Sequence, residues 1–134
     1  MSDIRWLAGL AFILLAVEGA NSATPAVAAE RWEGYWAKTR GECRPGDGPD
    51  SKTMIDLRNS ENGKLAPLYD QYENHCRIDS HATKGDVTTL KLTCFEFWDD
   101  YRAKKSPRRD TVTVTVLDQS RIRINGASYL RCRK

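Results

Sequence analysis

Four cysteines limit the folds open to this chain more than any other feature of its sequence. Cys43, Cys76, Cys94 and Cys132 all follow an apolar segment at the amino terminus. An even number of cysteines in a short exported chain is typical of structural disulfides. No pair has the C-x-x-C spacing of a redox motif or the closely spaced ligands of a structural zinc site. The sequence therefore predicts two disulfides, no metal site and no cofactor.

The amino-terminal segment has the pattern of a secretory signal peptide. An apolar run at residues 7–17 follows Arg5, and small residues ending in AVAAE come after it. Because Glu18 ends the run well short of the roughly 20 apolar residues that span a bilayer, an uncleaved anchor is the less favoured alternative. We therefore predict a signal peptide at residues 1–29, a single β domain at residues 30–134, and a periplasmic or secreted protein with no membrane span after cleavage.

Length and charge are those of one small domain. The chain has 134 residues, of which 29% are charged, and a formal net charge of +3. Loss of residues 1–29 removes one basic and two acidic side chains, which raises the net charge to +4. A sequence pI near 8.7 is too mild to indicate nucleic-acid binding, so no nucleic-acid partner is predicted. Nothing in the sequence indicates an oligomeric state.

Alternation of apolar and polar residues indicates a mostly β protein. The candidate strands are residues 33–38, 53–58, 64–69, 72–80, 87–98, 111–117, 120–124 and 128–132. This pattern predicts an all-β fold, either a small antiparallel barrel or a compact sandwich of about eight strands, stapled by two disulfides. One alternative is a short helix, because Leu65, Leu68, Tyr69 and Tyr72 have helical spacing. The basic run at residues 102–109 is predicted to form an exposed loop.

The pairing of the cysteines follows from the hairpin around Gly85. If residues 84–86 form a three-residue loop, Cys76 lies directly across from Cys94, close enough to bridge. Cys43 is then left to pair with Cys132. That bond closes about 90 residues and is worth on the order of 4 to 5 kcal/mol in the chain-entropy model.

The same alternation assigns side chains to faces of the strands. Cys76, Ile78 and Ser80 are predicted to share the inner face, together with Leu90, Leu92, Cys94, Val112, Val114 and Val116. The opposite, wet face is predicted to carry Glu73, His75, Arg77, Asp79 and His81. Strand spacing allows only Asp79 and His81 to approach one metal ion, so a solvated polar face is favoured over a metal site. Phe95 and Phe97 lie opposite Cys94 and are either exposed contacts or turned inward by a bulge.

Two resemblances extend this interpretation. Gly34-Tyr35-Trp36 at the start of the first strand resembles the opening of lipocalin-like barrels, where the Trp plugs the barrel floor, and of small periplasmic metalloprotease inhibitors. The early Trp, the four spaced cysteines, Cys76-Arg77-Ile78 and the ending Tyr129-Leu130-Arg131-Cys132 resemble small secreted proteobacterial proteins of uncharacterised function. These resemblances imply a β fold and no particular activity.

The last hairpin carries the candidate binding residues. With residues 125–127 as a three-residue loop, Ile122, Ile124, Leu130 and Cys132 face inward, and Arg121, Arg123, Tyr129, Arg131 and Arg133 face outward. A two-residue Asn-Gly turn is the commoner hairpin signal, but it would place Arg121 across from Leu130. Opposed arginines need neutralisation, either by nearby carboxylates within the protein or by an anionic or protein partner. The binding hypothesis assigns Arg121, Arg123, Tyr129 and Arg131 to that partner.

No catalytic residues are predicted. The sequence lacks G-x-S-x-G, H-E-x-x-H and a glycine-rich phosphate loop, and no free thiol remains if both disulfides form. We therefore predict a non-enzymatic exported binding module that recognises a protein or an anionic envelope component. The alternatives are an inhibitor of a secreted or periplasmic hydrolase, acting through the segment before Gly34 or the loop at residues 40–51, and a small apolar-ligand carrier.

Overall fold

Residues 29–133 are described by a computed structural model, in which eight antiparallel strands close into a barrel. The strands are β1 (Gly34–Ala37), β2 (Thr53–Asp56), β3 (Ser60–Glu61), β4 (Lys64–Leu65), β5 (Leu68–Gln71), β6 (Asn74–Lys84), β7 (Val87–Phe95), β8 (Arg108–Val116), β9 (Arg121–Ile124) and β10 (Ala127–Arg131). A 3₁₀-helix (Arg40–Cys43) follows β1, and a short helix α1 (Trp98–Ala103) follows β7. Around the barrel the strand order is β1-β10-β9-β8-β7-β6-β5-β2, and β3 and β4 form a separate hairpin.

This architecture confirms the predicted all-β fold and selects the barrel over the sandwich. The alternative of a short helix around Leu68 is wrong, because Leu68–Gln71 is a strand paired with β2 and β6. The predicted signal peptide lies almost entirely in residues 1–28, outside the described residues. Among residues 29–133, no helix has both the length and the apolar character needed to span a bilayer.

The barrel interior is built from the residues that alternate inward along each strand. Along β8 the inward residues Val112, Val114 and Val116 are buried. Fourteen buried residues form this core: Trp32, Trp36, Ile55, Tyr69, Cys76, Ile78, Leu90, Leu92, Cys94, Val112, Val114, Val116, Ile122 and Ile124. Burying each large aliphatic side chain is worth about 1.5–3 kcal/mol, so the core supplies the main driving force for closing the barrel.

Both predicted disulfides are present. Cys76 and Cys94 are joined inside the barrel, where both are fully buried, and their Cα atoms are 3.9 Å apart. Cys43 and Cys132 are joined with a Cα–Cα distance of 5.3 Å. The second bond links the 3₁₀-helix to the residue that follows β10. The cysteine pairing derived from the sequence is confirmed.

The loop from which that pairing was derived is shorter than predicted. Lys84 pairs directly with Val87, so the β6–β7 loop has two residues, Gly85 and Asp86, and Gly85 takes a φ of +63° that suits glycine. A bulge between Ile78 and Ser80 then inserts one extra residue, Asp79. The bulge restores the register, and Cys76 still faces Cys94.

The bulge also exchanges the predicted faces beyond it. Ser80 pairs with Lys91 on the outer face, and His81 pairs with the buried Leu90 on the inner face. The centroid of the His81 ring lies 5.5 Å from that of Trp32. The prediction that His75, Asp79 and His81 share one face is therefore wrong, as is the inward assignment of Ser80.

Asp79 is held at the bulge by its hydrogen bonds. Its carboxylate accepts hydrogen bonds from Thr93 Oγ1 at 2.6 Å and Arg77 Nε at 3.0 Å, and Arg109 lies 3.6 Å away. Partial desolvation by itself would raise the pKa of Asp79, but these donors and the two positive charges lower it below its usual value. The extra residue is thus an anchored carboxylate rather than a defect in the sheet.

Helix α1 explains the positions of Phe95 and Phe97, for which the sequence allowed either exposure or burial. The predicted strand ends at Phe95 rather than at residue 98, and α1 folds back over the outside of the barrel. Phe95 is buried there against Leu68 and Tyr101, with the Phe95 and Tyr101 ring centroids 5.6 Å apart. Both alternatives are wrong for Phe95, since it is neither exposed nor inside the barrel, whereas Phe97 is an exposed contact.

The same helix corrects the predicted loop at residues 102–109. Residues 102–103 belong to α1, and β8 begins at Arg108, so only residues 104–107 connect them. Asp99 and Asp100 in the first turn and Arg102 in the last turn favour the helix through its dipole. Burial, with the charge and hydrogen bond of Glu61, raises the pKa of Tyr101 to about 12.

Candidate functional site

A cleft of about 380 Å³ opens on the outside of the barrel, against β2, β5 and β6. The loop before β2 contributes one wall, the β5–β6 turn contributes a second, and residues 96–98 contribute the third. We call this the aromatic cleft; its lining comes from residues 46–54, 70–75 and 96–98, together with Tyr35. Three segments far apart in sequence thus meet at one surface.

The floor of the aromatic cleft is a histidine–carboxylate pair. Asp70 on β5 lies directly across from His75 on β6, and both point outward because their neighbours Tyr69 and Cys76 point into the core. Asp70 Oδ1 is 2.6 Å from His75 Nδ1. The imidazole stacks on Trp98 with ring centroids 4.1 Å apart and an interplanar angle of 24°. Asp70 therefore orients the imidazole that supports Trp98.

Burial at the floor changes the acidity of Asp70. Desolvation raises the pKa of this carboxyl above its usual value, the hydrogen bond and charge of His75 oppose the shift, and the nearby Asp47 carboxylate adds to it. The side chain of His75 is only 12% exposed. The pair is thus a rigid, partly desolvated platform rather than a pair of free surface charges.

Two aromatic side chains stand at the rim of the cleft. Phe97 is 53% exposed and Tyr72 is 44% exposed. They are the two most exposed Phe, Tyr or Trp side chains of residues 29–133. Phe97 immediately precedes α1, and Tyr72 lies in the β5–β6 turn beside Glu73, whose φ is +51°. Both rings are therefore carried at the ends of regular elements, where the backbone holds them out from the barrel.

The rim also carries negative charge. Asp47, Glu73 and Glu96 line the cleft, and within residues 29–133 none of the three forms an ion pair with a Lys, Arg or His side chain within 4.0 Å. The one lysine in the lining, Lys52, has its ammonium 4.4 Å from the centroid of the Tyr35 ring. The aromatic cleft is thus acidic although the chain as a whole is basic.

The predicted basic face of the last hairpin does not form, because the register differs from the prediction. Ile124 pairs with Ala127 across a two-residue Asn125-Gly126 turn. Both turn residues have positive φ, 48° and 83°, as this hairpin turn requires. Tyr129 therefore lies across from Ile122 and packs against the core, while Leu130 lies across from Arg121.

The four predicted binding residues therefore divide into two pairs. Arg121 and Arg123 are exposed on the outer face of β9, as predicted, and Arg121 is paired with Asp118 at 2.7 Å. Tyr129 and Arg131 lie on the other face of β10, so the prediction that all four share one outward face is wrong. Internal neutralisation, the alternative left open for this hairpin, is what Asp118 provides for Arg121.

Arg131 closes one end of the barrel. Its guanidinium carbon lies 4.1 Å from the centroid of the buried Trp36 ring. It donates hydrogen bonds to the carbonyl oxygens of Arg31 at 2.6 Å, Glu33 at 2.9 Å and Gln119 at 2.8 Å. A side chain added at Gly34 would come within 2.8 Å of this guanidinium, so the glycine of the Gly34-Tyr35-Trp36 motif leaves room for it. Arg131 is a structural residue of the barrel end.

The sequence contains a signal for the helix α1 that carries Trp98 of the aromatic cleft, which the strand prediction missed. Asp99 and Asp100, followed by Lys104, Lys105 and Pro107, have the order of a helix start and stop. That pattern would have ended the strand before Trp98 and placed Trp98 on a helix. Residues 29–133 include no group of three or more His, Cys, Asp or Glu side chains arranged to hold a metal ion.

Comparison of the chain with protein-family models, curated proteins and solved structures gives no match.

Proposed function

We propose that this protein is an exported, non-enzymatic binding module that recognises another protein through the aromatic cleft. The observation that carries the proposal is the pair of exposed rings, Tyr72 and Phe97, beside a floor made rigid by Asp70, His75 and Trp98. Aromatic side chains dominate the energetics of protein interfaces, and a rigid floor lowers the entropy lost on binding. The acidic rim makes a protein a better partner for this site than an anionic envelope component.

Export is part of the same proposal. It is supported by the two disulfides, since such bonds persist in oxidising compartments, and by the apolar segment at residues 7–17. We expect the exported protein to begin at Ala29 or Glu30. Amino-terminal sequencing of the protein recovered from outside the cytoplasm would check this; a chain that still begins at Met1 would contradict it.

The binding site can be tested by removing the two rings. We expect Tyr72→Ser combined with Phe97→Ser to weaken the affinity for a partner at least tenfold, about 1.4 kcal/mol, because the contact area at the rim is lost. The measurement is the dissociation constant of a partner isolated from envelope extract with the oxidised protein.

A matched control removes apolar surface elsewhere. Val87 and Leu117 are each 41% exposed and do not line the cleft, so Val87→Ser with Leu117→Ser should leave the affinity unchanged. If every isolated partner binds the Tyr72 and Phe97 variant as tightly as the original protein, the cleft is not the recognition site.

Inhibition of a secreted or periplasmic hydrolase is a second candidate. It is favoured by the position of the loop at residues 40–51, because Gly46, Asp47 and Ser51 from that loop form a wall of the aromatic cleft. A panel of proteases and glycosidases assayed with the oxidised protein distinguishes this function from simple binding. The ligand-carrier alternative is not proposed, since large core side chains such as Trp36, Tyr69 and Leu92 fill the barrel interior.

A further inference from the structure

We propose that the aromatic cleft receives a cationic side chain, an arginine or lysine, presented by a basic segment of the partner protein. This inference rests on the proposed function and specifies the chemistry of its ligand. It depends on three properties of the cleft: its size, its charge and the placement of its aromatic rings.

The aromatic cleft has room for one long side chain. A cleft of about 380 Å³ is large enough to take one long side chain together with parts of the backbone that carries it. Phe97, Trp98, Asp47 and Lys52 all line this space. An extended peptide segment can therefore lie across the opening and insert one side chain.

The negative charge of the cleft favours a positively charged side chain. Four carboxylates, those of Asp47, Asp70, Glu73 and Glu96, line a cleft that contains one lysine and one histidine. Only Asp70 has an ion-pairing partner within residues 29–133, namely His75. Carboxylates in a concave, partly desolvated site attract a cation more strongly than isolated surface carboxylates do. The excess of negative charge is a local property of the cleft, since the chain as a whole is basic.

The aromatic rings make a cation a better ligand than a neutral polar group. Guanidinium and ammonium groups are attracted to the faces of Trp, Tyr and Phe within about 6 Å of the ring centroid. The cleft already contains one such contact, between Lys52 Nζ and the Tyr35 ring at 4.4 Å. Tyr72 and Glu73 are neighbours in the β5–β6 turn, and both line the cleft. Ring faces and carboxylates thus occur together, as a guanidinium requires.

The experiment compares two peptides that differ only in charge. The oxidised protein is titrated by calorimetry with a short arginine-containing peptide and with the same peptide carrying citrulline, which keeps the shape of arginine without its charge. Fluorescence gives a second signal, because Trp98 lines the cleft while Trp32 and Trp36 are buried. We expect the arginine peptide to bind at least tenfold more tightly than the citrulline peptide, and its affinity to fall as salt is raised.

Charge-removal variants locate the binding. Glu73→Gln with Glu96→Gln should weaken the arginine peptide at least tenfold, because two unpaired carboxylates of the cleft are lost. The matched control, Asp86→Asn with Asp110→Asn, removes the same charge at exposed positions outside the cleft and should have no such effect. All four positions are exposed, so melting temperature and near-ultraviolet circular dichroism should show that both variants fold.

Other results would contradict the cationic ligand, the protein partner or the proposed function. Equal binding of the arginine and citrulline peptides, or equal binding to both double variants, overturns the cationic ligand. Spermidine binding as tightly as the peptide overturns the assignment to a protein segment. If the arginine peptide does not bind but the Tyr72→Ser and Phe97→Ser variant still loses its partner, the cationic ligand is wrong and the proposed function stands. If that variant keeps its partner as well, both are wrong.

Discussion

Replacement of both Cys43 and Cys132 by alanine is expected to lower the free energy of unfolding by about 4–5 kcal/mol, the chain-entropy value for a loop of this length. The two residues are separated by 89 positions, and the bond lies at the seam where the first and last strands close the barrel. The seam is short: β1 and β10 pair at only two positions, Trp36 with Arg131 and Ala37 with Leu130. Urea unfolding of the oxidised protein and the variant measures the loss.

The second disulfide provides the comparison. Cys76 and Cys94 are 18 positions apart in sequence, so replacing them by alanine should cost less through loop closure, about 3 kcal/mol. Their strands, β6 and β7, are already paired at nine positions and do not need the bond to stay together. A loss below about 1 kcal/mol for the Cys43 and Cys132 variant would contradict the assigned role of this disulfide at the seam.

Arg131→Leu is expected to lower the free energy of unfolding by at least about 3 kcal/mol. Leucine keeps an apolar contact with Trp36 but leaves the carbonyl oxygens of Arg31, Glu33 and Gln119 without their donor. Hydrogen bonds from a charged donor contribute about 1.5–3 kcal/mol each, and the cation–π contact adds to them. Chemical unfolding followed by circular dichroism measures the loss.

Arg133→Leu is the matched control, because Arg133 is exposed just two residues further on. This change should alter the free energy of unfolding by less than about 0.5 kcal/mol. If Arg131→Leu were as stable as Arg133→Leu but lost partner binding, Arg131 would be a recognition residue, as the sequence suggested, and the structural role would be wrong.

The all-β fold and its core could be predicted because they depend on local alternation, which does not distinguish a barrel from a sandwich. The inward placement of Val112, Val114 and Val116, and of Cys76 and Cys94, follows from period-two spacing alone. The direct opposition of the two cysteines depends also on the loop between them. The cysteine pairing was correct even though the predicted loop was one residue too long, since the bulge at Asp79 compensates for the shorter turn. The missing loop residue and the extra bulge residue shift the pairing by one position in opposite directions, so Cys76 still faces Cys94.

The last hairpin was predicted wrongly for a physical reason. The prediction preferred the longer loop over the turn that Asn125 and Gly126 favour, because the shorter turn sets Arg121 across from Leu130 and breaks the alternation. Arg131 faces inward at low cost, because three carbonyl oxygens accept its hydrogen bonds and Trp36 lies under its plane. The turn preference of two residues outweighs the alternation of the strand when a charged group finds its partners inside.

The aromatic cleft could not be predicted because no local pattern unites its parts. Asp47, His75 and Phe97 come from separate segments, and only barrel closure brings them to one surface. The helix that positions Trp98 was readable from its charges, but its docking over Phe95 depends on the tertiary fold. The resemblance to lipocalin-like barrels stays a prediction; Gly34 and Trp36 have clear structural roles here without it.

The anchored residue at position 79 divides the longest hairpin into two parts with different registers. Beyond it, the tip from Ser80 to Thr89 carries mostly exposed side chains and contributes no residue to the aromatic cleft. Before it, His75 and Cys76 hold the cleft floor and a core disulfide. Asp79 already interrupts the ladder between the two parts, so a change of register at the tip need not reach the aromatic cleft.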